Sequence, residues 1–164
     1  MARTSARTRL PHSLWDRLTN PDLVRPGEDG APLSSQMERL KQEVRTHLEW
    51  LLNTRRCLPM SLDGLEALES SLVAYGLPDI TGLRSSAPKD RDRLEQILED
   101  VIRKFEPRLE NVRVEFNARE QDRSRSTIHY RVSAVLKVKP LSQPVLFDTV
   151  LEVGSKSFRV HGDA

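Results

Sequence analysis

Glu106, Pro107 and Arg108 set a carboxylate and a guanidinium on either side of a proline. Such a pair can meet opposite charges on a partner through charge-assisted, bidentate bonds. Proline has no N–H and disfavours α geometry at the residue before it, so it fixes the corner. Upstream, Leu94, Ile97, Leu98, Val101, Ile102 and Phe105 recur at spacings of three and four. That pattern predicts an amphipathic helix over 92–108, stopped by Pro107. Glu106 then sits near the negative end of the helix dipole, where a cation is preferred. Local conflicts of this kind concentrate at functional sites. The pair is expected to face outward as a rigid connector, with Arg108→Ala leaving the fold intact. The plainer reading is an internal Glu106–Arg108 pair that simply ends a helix.

Other chemistries fare worse. Glycoside hydrolysis needs two carboxyl groups at a set separation. Glu106 could be the acid, but Glu110, Asp79 and Asp148 have no spacing that marks one as its partner. Only Trp15 and Trp50 could offer indole platforms for a sugar. Metal binding is not expected: His12, His47, His129 and His161 are scattered, and Cys57 has no CxxC partner. His47 reads as a packed or boundary residue. There is no GxGxxG and no GxxxxGK[ST], so no nucleotide cofactor is expected. Arg119, Arg123 and Arg125 alternate with acids in a polar stretch and read as a solvated loop.

The bulk properties describe a soluble protein with a modest core. The chain has 164 residues, enough for one ordinary domain. Its 26 Lys and Arg nearly balance 24 Asp and Glu, which argues against a nucleic-acid binder. No apolar run approaches the roughly 18 residues of a membrane span. A single cysteine excludes an internal disulfide and fits a reducing compartment.

The fold class expected is α+β, with three N-terminal helices packed on an antiparallel sheet of about four strands. Residues 1–33 read as a flexible segment carrying a short docking motif at 13–18, where Leu14, Trp15, Arg17 and Leu18 are the candidate contacts. Residues 34–164 form the domain. Its first helix begins near Ser35, in a capping box with Glu38, and buries Met37, Leu40, Val44, Leu48, Leu51 and Leu52. A second helix runs from Ser61 to Tyr75 with Leu65, Leu68 and Leu72 on one face. Gly76 follows it in a left-handed conformation. After Arg108 the period drops to two. Strands are expected at 112–118, 128–138, 145–153 and 156–161, with Glu120 to Ser126 and Pro140 to Pro144 as connections. The last strand is an edge whose Phe158, Arg159 and Val160 offer main-chain groups to another chain.

The ordered motifs resemble a known family. They are Ser13-Leu14-Trp15-Asp16-Arg17-Leu18, Leu51-Leu52-Asn53-Thr54-Arg55-Arg56, Tyr75-Gly76-Leu77-Pro78-Asp79 and Phe105-Glu106-Pro107-Arg108-Leu109. In that order they look like the TssE family of type VI secretion baseplate proteins, similar to the phage-tail wedge proteins long labelled lysozyme-like. The resemblance implies a structural protein and not an enzyme. It implies docking on the wedge proteins TssF, TssG and TssK through Glu106, Pro107 and Arg108. It further implies a starting point for a sheath of TssB and TssC, whose arms add strands to the small sheet. A cytoplasmic baseplate at the inner membrane would be its setting, with no cofactor, no nucleic acid and no direct membrane insertion. The alternative kept open is a peptidoglycan hydrolase using Glu106.

Overall fold

The computed structural model describes residues 13–19, 32–57, 64–69, 71–83, 87–118, 127–138 and 141–162. The basic tail, the Gly- and Pro-rich stretch before Pro32 and the arginines at 119, 123 and 125 lie outside the described residues. The elements are helices α1 (Leu14–Thr19), α2 (Leu33–Asn53), α3 (Glu66–Glu69) and α4 (Pro88–Phe105), then strands β1 (Leu109–Phe116), β2 (Thr127–Val138), β3 (Leu141–Glu152) and β4 (Ser157–Gly162). The chain is therefore α+β, with one antiparallel sheet in the order β1-β2-β3-β4.

The six predicted stripe residues of α2 are all buried. Each large aliphatic side chain removed from water stabilises by about 1.5–3 kcal/mol. The capping box does not form. The helix starts two residues early, at Leu33, with Pro32 as its cap. Ser35 thus lies inside the first turn, where its hydroxyl donates to Pro32 O at 2.8 Å.

The second predicted helix is reduced to the four residues of α3 and a 3-10 turn at Leu72–Ala74. Ser61, its expected cap, lies outside the described residues. Gly64 has φ +80°, which interrupts helical geometry. The Ser71 side chain instead accepts from Val73 N and starts the tighter turn. Leu65, Leu68 and Leu72 are exposed, so they are not a core stripe. Gly76 has φ +99°, and a Cβ there would stand 2.5 Å from Thr54 O. That contact lets Leu77 N donate to Thr54 O and Arg56 N donate to Leu77 O, both at 2.8 Å.

In the sheet, Ile128, Tyr130, Val132, Ala134 and Leu136 of β2 face inward, as do Val145, Phe147, Thr149 and Leu151 of β3. The opposite face carries exposed Arg113, Glu115 and Lys137, and an Arg131–Asp148 ion pair at 3.1 Å. Asn111 has φ 55° at a register shift between Glu110 and Arg113. This bulge places both Leu109 and Val112 in the core. The predicted connection at Pro140–Pro144 is mostly strand, because β3 already begins at Leu141. Pairing with β4 stops at Phe147↔Gly162, and alternation puts the missing Pro144 N–H on that side. A proline is tolerated where no neighbouring strand needs its donor.

Helix α4 packs along β1 and α2 along β4, on the same sheet face. Their polar flanks meet the two edges. Glu99 accepts from Val114 N at 2.9 Å and Glu95 from Phe116 N at 2.7 Å. On the other side, Asn53 accepts from Phe158 N and donates to Phe158 O, each at 2.8 Å. Glu49 accepts from Val160 N at 3.0 Å. The expectation of an unpaired β4 edge is therefore corrected at Phe158 and Val160. Four helical residues rise about 6 Å and two strand residues about 6.8 Å, so i,i+4 side chains can follow alternate strand amides.

Candidate functional site

Helix α4 ends at Phe105, with Glu106 as C-cap donating its N–H to Ile102 O at 2.8 Å. Arg103 and Lys104 occupy the last turn, where cations suit the dipole. Pro107 turns the chain outward and is exposed. Leu109 N then donates to Glu106 O at 3.0 Å, and Lys137 N to Arg108 O at 2.8 Å. The corner is thereby tied at both ends, to the helix and to β2.

The side chains turn inward more than the sequence suggests. Glu106 is buried, at 5% exposure. Arg108 Nε donates to its Oε1 and a terminal Arg108 nitrogen to its Oε2, both at 2.6 Å. This is a bidentate pair within one chain, so the plainer internal reading is the geometry that forms. The outward-facing connector is corrected accordingly: Glu106 is enclosed, while the Arg108 side chain keeps 27% exposure. Arg108→Ala can no longer be treated as an exposed, neutral exchange, because it strips the counter-ion from a buried carboxylate.

Residues far apart in sequence complete the corner. The same terminal nitrogen of Arg108 lies 2.7 Å from His47 Nδ1. Arginine only donates, so His47 presents a lone pair there. The His47 ring stacks on Trp50 with centroids 5.5 Å apart, and Trp50 meets the edge of Trp15 at the same distance. Ser13 N donates to Glu43 at 3.2 Å, which fixes the start of α1 on α2. On the far side Tyr75 packs edge-on against Phe105. Burial, and then the negative charge of Glu106, push the Tyr75 hydroxyl above its usual pKa.

The structure thus brings Trp15 of the docking motif into one run with Trp50, His47, Arg108 and Glu106. Leu14 and Leu18, at 70% and 71% exposure, point away from the domain, and Arg17 is exposed too. Phe158 and Val160 are buried in β4, and only Arg159 of that trio is exposed. Sequence reasoning missed the part played by His47 and Trp50. Their place on the flank of the α2 stripe was visible, but nothing local linked them to a residue about sixty positions later.

The family of the baseplate wedge protein gp25 matches residues 38–141. The chain belongs to this family. The match runs from α2 through the Glu106–Arg108 corner to the start of β3. A chain in a solved structure described as "The baseplate complex from the type VI secretion system" is similar at 23% identity and a TM-score of 0.48. The similarity covers 71% of this chain and 97% of that one. No curated protein matches. The protein is thus a structural baseplate component of the wedge family. Among the described residues no helix is long and apolar enough to cross a membrane.

Proposed function

We propose that this chain is the wedge protein of a type VI secretion baseplate. In this reading it acts without catalysis, in the cytoplasm, at a baseplate assembled against the inner membrane. It joins wedge subunits to the first ring of the sheath. Membership of the wedge family across the corner is the observation that carries the reading. The ordered motifs from Ser13 to Leu109 supply the type VI assignment.

The wedge proteins TssF, TssG and TssK meet Pro107 and the exposed flank of Arg108. Glu106 acts as a positioning residue, since its two oxygens already hold the guanidinium in one plane. Helix α1 adds Leu14, Arg17 and Leu18 to the same region, standing on Trp15 and Trp50. In this reading the docking motif at 13–18 lies in the segment 1–33, and residues 34–164 make the domain. The sheath proteins TssB and TssC add a strand at Phe158, Arg159 and Val160.

Copurification from native lysate tests this. Arg108→Lys keeps a cation beside Glu106 but loses the planar fork. With the fold verified by circular dichroism, it should capture markedly less wedge protein. Leu14→Asp combined with Leu18→Asp should do the same. Wild-type capture by both variants overturns the docking reading.

Hydrolysis is disfavoured by geometry. A general acid must present a proton to a leaving group, and both oxygens of Glu106 are committed to one guanidinium. Clearing of purified cell walls by the wild type, lost in Glu106→Gln, would restore that alternative.

A further inference from the structure

The two sheet edges are covered in different ways. On β1 the glutamates of α4 only accept, from Val114 N and Phe116 N. On β4, Asn53 both donates and accepts at a single residue, Phe158. Two bonds exchanged with one residue are what a residue of a neighbouring antiparallel strand makes at a hydrogen-bonded pair. A carboxamide has the same donor and acceptor as a peptide group. Asn53 therefore imitates one peptide unit of a fifth strand. Glu49, one helical turn earlier, imitates the acceptor of the next hydrogen-bonded position, at Val160 N. Farther along, Arg45 Cδ lies 3.8 Å from where a Cβ on Gly162 would stand. Helix α2 thus follows the outer edge of β4 from Phe158 to Gly162.

We propose that Asn53 and Glu49 are an exchangeable cover over β4, which an incoming antiparallel strand replaces bond for bond. The occupant is an extended main-chain segment, the sheath arm of the reading above, on which this inference rests. Before assembly the cover leaves no bare amide at Phe158 or Val160, so the edge cannot template pairing between copies of the chain. On assembly the side chains swing aside. The exchange conserves the bonds at Phe158 and gains a donor to Val160 O that a carboxylate cannot provide. Asn53 suits this task because it stands at the last position of α2 and is exposed, with its Nδ2 also 2.9 Å from Glu49 O. That second acceptor gives the displaced amide a place to go.

Hydrogen exchange of the whole chain, read amide by amide, tests the cover. In the wild type Phe158 and Val160 amides are expected to be protected. In Asn53→Ala with Glu49→Ala they should exchange at least about tenfold faster, with the β2 amides unchanged. Glu49→Gln keeps an acceptor and should retain protection at Val160. Unchanged protection in the double variant overturns the cover. Capture of the TssB and TssC sheath pair is the second measurement. The double variant should capture sheath at least as well as the wild type, since the incoming strand has nothing to displace. Loss of capture with fast exchange overturns the proposal, because the two side chains would then be contacts within the complex. Undiminished capture by Phe158→Pro would instead reject strand addition at β4, while the exchange data still decided the cover.

Discussion

Arg108→Ala is the most direct test of the corner. Glu106 is 5% exposed and has both oxygens bound by the Arg108 guanidinium. Truncating Arg108 leaves the carboxylate without those two bonds and in a poorly hydrated place. Removing one partner of a buried ion pair costs about 3–5 kcal/mol. Arg108 keeps 27% exposure, so water can partly replace it and the lower end applies, about 3 kcal/mol. For a chain of 164 residues this is a fall in Tm of about 6–12 °C. The assay is urea unfolding at neutral pH, run as a double-mutant cycle with Glu106→Ala. The double variant should lose less than the sum of the singles, by about 1.5–3 kcal/mol. An Arg108→Ala protein within about 0.5 kcal/mol of the wild type would refute the reasoning and restore the exposed connector. Any binding defect in this variant must be measured well below its own Tm.

Gly76→Ala should cost more than about 2 kcal/mol, since its φ is +99° and its Cβ would meet Thr54 O at 2.5 Å, whereas Gly82→Ala meets nothing within 4 Å. Thermal melts of the two variants check this, and equal Tm values would contradict it. Thr149→Val should be neutral or stabilising by about 1 kcal/mol, because the buried Thr149 hydroxyl has no hydrogen-bond partner among the described residues. A drop in urea midpoint would show that the hydroxyl is satisfied. Burial, opposed by the Phe116 N–H and reinforced by Asp92, Glu115 and Glu99, raises the Glu95 pKa. A raised carboxyl pKa favours the protonated folded state, so this group's contribution is present below its unfolded pKa and lost as pH rises through the folded one. Glu95→Gln keeps an acceptor for Phe116 N and should flatten the loss of stability as pH rises above the ordinary carboxyl range; an unchanged slope by urea titration would count against it.

The parts of the fold that obey a single period were legible in the sequence. The α2 stripe is buried residue for residue as its spacing predicts, and the β2 alternation holds from Ile128 to Leu136. Errors arose where two rules competed. Leu65, Leu68 and Leu72 keep a helical spacing, but Gly64 and the Ser71 cap break the segment and leave those side chains in water. Pro144 reads as a breaker, yet it sits in β3 beyond the end of β4, where its missing donor is not needed. The Asn111 bulge changes the parity of β1, so Leu109 and Val112 both point inward at a spacing of three.

At the corner, Glu106, Pro107 and Arg108 were identified from residue types alone, but the direction of their side chains was not. That direction is set with His47 and Tyr75, which approach from other parts of the chain. The edge covers were likewise hidden. Glu49 with Asn53, and Glu95 with Glu99, are i,i+4 polar pairs of a kind found on most helices. Only the lie of each helix along its strand gives them a role.

Helix α2 carries both ends of this arrangement. His47 and Trp50 reach the corner and α1, while Glu49 and Asn53 reach β4. Between Leu33 and Asn53 the helix has no glycine and no proline at which it could bend. A stiff spar of this kind couples whatever grips one end to the angle presented at the other. In the reading proposed above, a partner gripping the corner and a strand added at β4 would keep one fixed bearing to each other.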